Sequence, residues 1–88
     1  MNQKKNGNMT VIIYTKKACP ACVRAKRLLT EHGFEFNEIL VTKQTKQKLL
    51  ERVPEAKTVP QIFMNEVHIG GCDDLQRYLK ENKNVDED

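Results

Sequence analysis

Two cysteines separated by two residues, Cys19 and Cys22, stand where a short β-rich run, 10–15, gives way to a segment with helical apolar spacing. The first residues of a helix carry unpaired N–H groups and the positive end of the helix dipole, and both favour a thiolate over a thiol. The sequence therefore predicts a strand–turn–helix unit. In it, Cys19 is an activated nucleophile and Cys22 is the thiol that resolves its mixed disulfides.

The spacing of the pair suits a disulfide that opens and closes. Cys22 lies one helical turn behind Cys19, close enough to bridge it, and its sulfur is more shielded by the helix. Pro20 fits the first helical position, where its missing N–H would have had no partner. Between residues 16 and 27 the charged residues are all basic and add a positive potential around the thiolate: Lys16, Lys17, Arg24, Lys26 and Arg27.

Two other interpretations of the cysteines carry less weight. A zinc site would need further ligands such as Cys72, His32 or His68, but the sequence has no second C-x-x-C and no H-x-x-x-H pair. A purely structural disulfide is disfavoured because the cysteines number three, an odd count. We therefore expect a redox pair and no bound metal.

The chain of 88 residues, 39% of them hydrophobic, is long enough for one small domain. Its first residues are polar and show no apolar stretch, so we expect neither a signal peptide nor a membrane span, and a cytoplasmic location. A reducing compartment makes C-x-x-C a cycling pair. The net charge of +3 is mild and aromatic residues are few, which favours a small anionic thiol substrate over nucleic acid.

The apolar spacing predicts seven elements in the order β-α-β-α-β-β-α. A crossover of the usual hand makes the first two strands parallel neighbours, and the turn Asn65-Glu66 closes a hairpin. The predicted elements are strand 10–15, helix 20–32, strand 35–40, a helix from 42 or 43 to 52, strand 58–64, strand 67–69 and a helix from 72 or 73 to 82. The residues expected to face the core are Val11, Ile12, Ile13, Cys22, Ala25, Leu28, Leu29, Phe34, Phe36, Ile39, Leu49, Leu50, Val53, Leu75, Tyr78 and Leu79.

Four sequence segments carry a resemblance to a known family: Tyr14-Thr15-Lys16, Cys19-Pro20-Ala21-Cys22, Thr58-Val59-Pro60-Gln61-Ile62-Phe63 and Gly70-Gly71-Cys72-Asp73-Asp74-Leu75. With the element order, they closely resemble the glutaredoxins over residues 10–82. The resemblance implies an α/β thioredoxin fold, in which a four-stranded mixed sheet is flanked by three helices. On either side we expect a flexible segment, 1–9, and a frayed acidic tail, 83–88.

The resemblance also implies an activity and a site. The activity is that of a glutathione-disulfide oxidoreductase, a monomer that reduces protein disulfides and glutathione mixed disulfides with glutathione as co-substrate. Its clients are disulfide-containing or glutathionylated proteins, and ribonucleotide reductase is a candidate. The catalytic residues are Cys19 and Cys22. The residues implied to bind glutathione are Lys16, Cys19, Thr58, Val59, Pro60, Gly71, Cys72, Asp73 and Asp74.

Each implied residue has a physical role. A cis bond before Pro60 would leave the backbone of Val59 free to pair with the cysteinyl residue of glutathione like an added strand. The N–H groups that open the last helix would hold the γ-glutamyl carboxylate, and Asp74 would hold its ammonium. Lys16 would meet the glycyl carboxylate. A structural interpretation is the alternative. Asp73 and Asp74 would then only stabilise the positive end of the helix dipole, and Cys72 would only fill space in the core.

Two positions bear on the choice of family and function. Ala21 stands where glutaredoxins usually have tyrosine, so an aromatic wall beside the cysteines is missing. Ala18 stands where thioredoxins usually have tryptophan, which favours a glutaredoxin. Two alternatives stay open: a thioredoxin-like hydrogen donor, for example to ribonucleotide reductase, and a module that holds an iron–sulfur cluster between two protomers with glutathione.

Overall fold

The computed structural model describes residues 9–87, and its elements follow the predicted order. The segment predicted to be flexible, 1–9, lies outside the described residues except for Met9. Within the described part of the chain, no helix combines the length and the apolar character needed to cross a membrane. The elements are β1 (Val11–Thr15), α1 (Pro20–Glu31), β2 (Asn37–Leu40), α2 (Lys43–Arg52), β3 (Gln61–Met64), β4 (Val67–Gly70) and α3 (Cys72–Glu87).

The four strands form one mixed sheet in the order β2-β1-β3-β4. As predicted, β1 and β2 are parallel, with Ile12 opposite Asn37 at the start of the ladder. β3 runs antiparallel to β1 and to β4. The hairpin turn lies at Asn65 and Glu66, whose positive φ angles of 50° and 69° are typical of tight hairpins.

Apolar side chains cover both faces of the sheet, which explains the unbroken apolar run of β1. On one face, Val11 and Ile13 of β1 pack with residues of α1 and α3: Ala25, Leu29, Cys72, Leu75 and Leu79, together with Ile62 and Met64 of β3. On the other face lies a smaller cluster of Tyr14, Leu49, Val53 and Phe63. Of the predicted core residues, Leu50 is half-buried and belongs to neither cluster.

β2 is shorter than predicted because residues 33 and 34 still belong to the turn that ends α1. Gly33 has a φ of 82°, and the N–H of Phe34 donates to the carbonyl of Leu29 at 2.9 Å. This is the kind of glycine stop that the sequence indicated. Phe34 and Phe36 therefore precede the strand, although both still pack against the larger cluster.

Two further element bounds were predicted incorrectly. β3 begins at Gln61 rather than at residue 58, since Pro60 has no N–H to join the ladder. α3 continues to Glu87 rather than ending at Asn82, while the predicted fraying of 83–88 stays a prediction. Residues 83–87 contain neither glycine nor proline, so the sequence gives the helix no stop signal there.

A polar network ties β1, β2 and α1 together next to the cysteines. Thr15 is fully buried, and its hydroxyl donates to Oε2 of Glu38 at 2.6 Å. The ammonium of Lys26 meets the same oxygen at 2.8 Å. The hydrogen bonds from Lys26 and then from Thr15 hold the pKa of Glu38 below its usual range. The carboxylate therefore stays ionised and links the three elements.

We predict that this network makes stability depend on pH. Because the folded pKa of Glu38 is depressed, its contribution is fully present above the ordinary glutamate pKa of about 4.3 and is lost as pH falls through the folded value. The side chain is 33% exposed, so solvent screening limits the effect to about 0.5–1 kcal/mol. Urea unfolding should show a smaller loss of stability between pH 6 and pH 3 for Glu38→Gln than for the unchanged protein. Identical pH profiles would contradict this role.

Candidate active site

Cys19 caps the start of α1. Its backbone is extended, with φ −118° and ψ 101°, and Pro20 occupies the first helical position. The N–H of Cys22 donates to Sγ of Cys19 at 3.1 Å, so an unpaired donor of the helix points at the sulfur. Ala18 has a φ of 55°, which turns the chain from the end of β1 into the helix. The strand–turn–helix unit predicted from the sequence is confirmed.

The two active-site sulfurs differ in exposure. Cys19 and Cys22 form a disulfide with their Cα atoms 5.2 Å apart. Cys22 is 1% exposed, whereas Cys19 is half-buried at the surface. This difference in exposure matches the predicted roles of Cys19 as the attacking cysteine and Cys22 as the resolving one. The reactivity of the two thiols stays a prediction.

The loop before β3 lies directly against Cys19. The Val59-Pro60 bond is cis, as the resemblance implied, and the carbonyl oxygen of Val59 lies 3.9 Å from Sγ of Cys19. The N–H of Val59 has no backbone partner within residues 9–87. An extended peptide could therefore hydrogen-bond to this loop next to the reactive sulfur.

A groove of about 590 Å³ runs from this loop to the start of α3. We call it the loop groove, and the predicted glutathione-binding residues that line it are Thr58, Val59, Pro60, Gly71, Cys72, Asp73 and Asp74. Ala21, in the position usual for tyrosine, also lines it. The structure thus brings together residues that are far apart in the sequence.

Two predicted residues line a different groove. Lys16 and Cys19 border an open groove of about 570 Å³ on the side of α1 and β2. Cys19 still contacts the loop through Val59, so it lies at the junction of the two grooves. Lys16 is not among the residues that line the loop groove, and its contact with glutathione stays a prediction.

The carboxylate of Asp74 has local partners at the start of α3. Its Oδ2 accepts the N–H of Gly71 at 3.1 Å, as a helix cap does, and its Oδ1 lies 3.6 Å from the guanidinium of Arg77. The structural alternative considered above is thus observed for Asp74. Half of its side chain is nevertheless exposed, so it can also meet a ligand in the groove.

Cys72 is buried in the larger core cluster and is 7% exposed. Burial raises the pKa of its thiol, and the nearby charge of Arg24 only partly opposes this. The side chain is therefore a neutral thiol that fills space. Arg24 itself lines the loop groove, whereas the sequence indicated it only as one of the basic residues around the thiolate. Its position three residues after Ala21 was the available signal, since such residues share a helix face.

A chain of hydrogen bonds behind the loop was also missed. Gln61 is 8% exposed, and its amide nitrogen donates to the carbonyl of Thr58 at 3.0 Å. Its amide oxygen lies 2.7 Å from Nε2 of His68 on β4. The three residues connect the sheet to the loop that faces Cys19. Among the described residues, no cluster of three or more His, Cys, Asp or Glu side chains could hold a metal ion.

The glutaredoxin family model matches residues 11–69. The chain belongs to the glutaredoxin family. It is 44% identical over 77 residues to glutaredoxin 1 of Rickettsia felis, which covers 84% of this chain and 76% of the relative. The family and the Cys19–Cys22 pair identify it as a thiol–disulfide oxidoreductase.

Solved glutaredoxin structures share the fold. Glutaredoxin 1 of Francisella tularensis superposes with a TM-score of 0.72 at 32% identity, covering 86% of this chain and 98% of that chain. A buckwheat glutaredoxin–glutathione complex superposes with a TM-score of 0.72 at 28% identity, covering 85% and 72%. The predicted thioredoxin fold, a mixed sheet with three helices, is confirmed.

The difference in burial predicts which thiol reacts first. In the reduced protein, iodoacetamide should modify Cys19 at least about tenfold faster than Cys22 or Cys72, because thiol reactivity requires access. Peptide mapping by mass spectrometry after short labelling times measures this. In urea all three thiols should react, which serves as the control. Comparable labelling of Cys22 and Cys19 in the folded protein would contradict the assignment.

Proposed function

We propose that this protein is a dithiol, glutathione-dependent oxidoreductase that reduces protein disulfides and glutathione mixed disulfides. The observation that carries the proposal is the position of Cys19. Its sulfur accepts a helix N–H and also lies 3.9 Å from the backbone carbonyl of Val59, a residue that lines the loop groove. A thiolate is favoured there, next to backbone groups that can hold a peptide.

Glutathione matches the chemistry of the loop groove. Its cysteinyl residue would pair with the backbone of Val59 and direct its sulfur towards Cys19. The first-turn N–H groups of Cys72 and Asp73, with Arg24 beside them, suit the γ-glutamyl carboxylate. Asp74 suits the ammonium. The buckwheat relative, whose structure is a complex with glutathione, supports this choice of ligand.

The glycyl carboxylate would require a cation at the opposite end of the bound tripeptide. Lys16 follows β1 and lies near the junction of the grooves at Cys19. Lys57 precedes Thr58 and lines the loop groove itself. We assign the contact to Lys16, as the family resemblance implies, with Lys57 as a second cation within the groove.

The proposed reaction with a mixed disulfide consists of two exchanges. The Cys19 thiolate attacks the glutathione sulfur, a bond forms between Cys19 and glutathione, and the client leaves as a thiolate that takes a proton from water. A second glutathione thiolate then attacks the bound glutathione sulfur. Glutathione disulfide leaves, and Cys19 is restored as a thiolate.

The proposed reaction with a protein disulfide also uses Cys22. Cys19 attacks one client sulfur and the other client sulfur leaves. Cys22 then attacks Sγ of Cys19, releasing the reduced client and forming the Cys19–Cys22 disulfide, the form found in the structure. Two glutathione molecules reduce that bond in turn. The clients we propose are disulfide-containing or glutathionylated proteins of the cytoplasm, ribonucleotide reductase among them, and the acting unit is a monomer.

Turnover of a glutathionylated peptide with glutathione as reductant tests the proposal. Cys19→Ser should abolish turnover, because the other two described thiols, Cys22 and Cys72, are buried. Cys22→Ser should retain it, since this route needs only one cysteine, and should lose reduction of protein disulfides. Cys72→Ser serves as the matched control and should retain both activities. If Cys22→Ser were as inactive as Cys19→Ser on the peptide, the assigned roles would be wrong.

Two variants separate the proposed ligand contact of Asp74 from its role as a helix cap. Asp74→Asn keeps an oxygen to accept the N–H of Gly71 but loses the charge that would hold an ammonium. It should weaken the glutathione-dependent step by about tenfold, which corresponds to ~1.4 kcal/mol. Asp74→Ala should show the same kinetic loss and should also lower stability by about 0.5–1 kcal/mol. Unchanged turnover by Asp74→Asn would mean that Asp74 acts only as a helix cap and does not bind glutathione.

A further inference from the structure

The groove beside α1 and β2 has no part in the proposed binding of glutathione apart from Lys16 and Cys19. We call it the β2 groove and define it by Lys16, Lys17, Cys19, Val23 and Leu40, which are among its lining residues. Val23 is 52% exposed and Leu40 is 44% exposed. In the described part of the chain the only other large apolar side chain so exposed is Val67, on the opposite edge of the sheet. Exposed apolar surface is thus concentrated next to the reactive sulfur.

The charges of the β2 groove are predominantly positive. Its one carboxylate, that of Glu38, is compensated by the ammonium of Lys26 at 2.8 Å. Lys16 and Lys17 are exposed and form no ion pair among residues 9–87. The groove therefore offers two uncompensated cations beside an apolar strip.

β2 also has a free edge. In the sheet order β2-β1-β3-β4 it pairs only with β1, so no strand covers its other side within the described residues, where the carbonyl of Leu40 accepts the hydroxyl of Thr45 at 2.6 Å. Unpaired edges accept extended segments. Leu40 is the last residue of β2 and lies opposite Thr15, the last residue of β1. From Thr15 the chain turns towards Cys19, so Leu40 lies at the end of β2 that is nearest to the reactive sulfur.

We infer that the β2 groove docks the client protein, through an extended acidic segment that carries an apolar residue close to its disulfide. The inference rests on the proposed function, since it assigns a substrate class to the same Cys19. Acidic side chains complement Lys16 and Lys17, and an apolar side chain covers Val23 and Leu40. Glutathione in the loop groove and a client in the β2 groove can then meet at one sulfur. A second copy of the chain is disfavoured, since it would bring two sets of these lysines together.

Three peptides test the inference, and each contains one internal disulfide and one leucine at the same position. The residues that flank the disulfide are acidic in the first peptide, neutral in the second and basic in the third. The pre-reduced protein is mixed with each peptide in the absence of glutathione, and peptide thiol is measured over a single turnover. Cys19 attacks one peptide sulfur, the other leaves, and Cys22 completes the exchange. We expect the acidic peptide to react about tenfold faster than the basic one at low salt, and the ratio to shrink at about 0.5 M salt.

Matched variants locate the effect. Lys17→Glu should lower the ratio of acidic to basic rates by about fivefold, and the ratio cancels any change in the reactivity of Cys19 itself. Leu40→Ser and Val23→Ser should each slow all three peptides several-fold and leave unchanged the turnover of a mixed disulfide between glutathione and a small uncharged thiol, which has no segment to dock. The controls are Lys48→Glu on the exposed face of α2 and Val67→Ser on the far edge, which should have no effect.

The possible failures can be told apart. Equal rates for the acidic and basic peptides, or equal effects of Val67→Ser and Leu40→Ser, would overturn the docking inference while turnover with glutathione stands. Absence of glutathione-dependent turnover would overturn the proposed function, although the peptide ratios, measured without glutathione, would still report on docking. Self-association that Leu40→Ser abolishes would assign the groove to a second copy and would also overturn the inference.

Discussion

The hydrogen bond from the first turn of α1 to the sulfur of Cys19 is the interaction on which the rest of the site depends. The first N–H groups of a helix have no partner within the helix, and serine or aspartate side chains usually accept their hydrogen bonds. Here the sulfur of the reactive Cys19 accepts the N–H of Cys22 instead. Ala18 and Pro20 adjust the backbone on either side of Cys19 so that this geometry can form. Cys19 lines the β2 groove, and its sulfur lies 3.9 Å from Val59, which lines the loop groove, so recognition and chemistry meet at one residue.

That arrangement needs rigid support, and the structure provides it from two directions. Ala25 and Leu29 fix α1 to the sheet with no exposed surface, and the ion pair of Lys26 with Glu38 fixes its outer side to β2. Behind the loop, Gln61 holds the carbonyl of Thr58. The cysteine turn is therefore anchored by apolar packing and a partly exposed ion pair, and the loop opposite it by a buried amide, while the surfaces between them stay open to ligands.

The sequence predicted what depends on local pattern and missed what depends on long-range contact. The order of elements, the glycine stop at Gly33 and the cap position of Cys19 follow from spacing and residue type, and the structure has them. The contacts of Gln61 and His68 involve partners on other elements, so no local pattern could indicate them, whereas the helical spacing of Arg24 from Ala21 could have placed Arg24 at the groove. The family resemblance brought Thr58 and Asp73 into the site, but it did not indicate that Lys16 borders a separate groove.

The hydrogen-bond chain behind the loop determines where His68 keeps its proton. A backbone carbonyl can only accept, so Gln61 must direct its amide nitrogen at Thr58 and its oxygen at the imidazole. Nε2 of His68 must then donate. When the ring is neutral, its hydrogen lies on Nε2 and Nδ1 carries the free lone pair. The backbone carbonyl of Thr58, ten residues before His68 in the chain, thus dictates the tautomer of a histidine on the neighbouring strand.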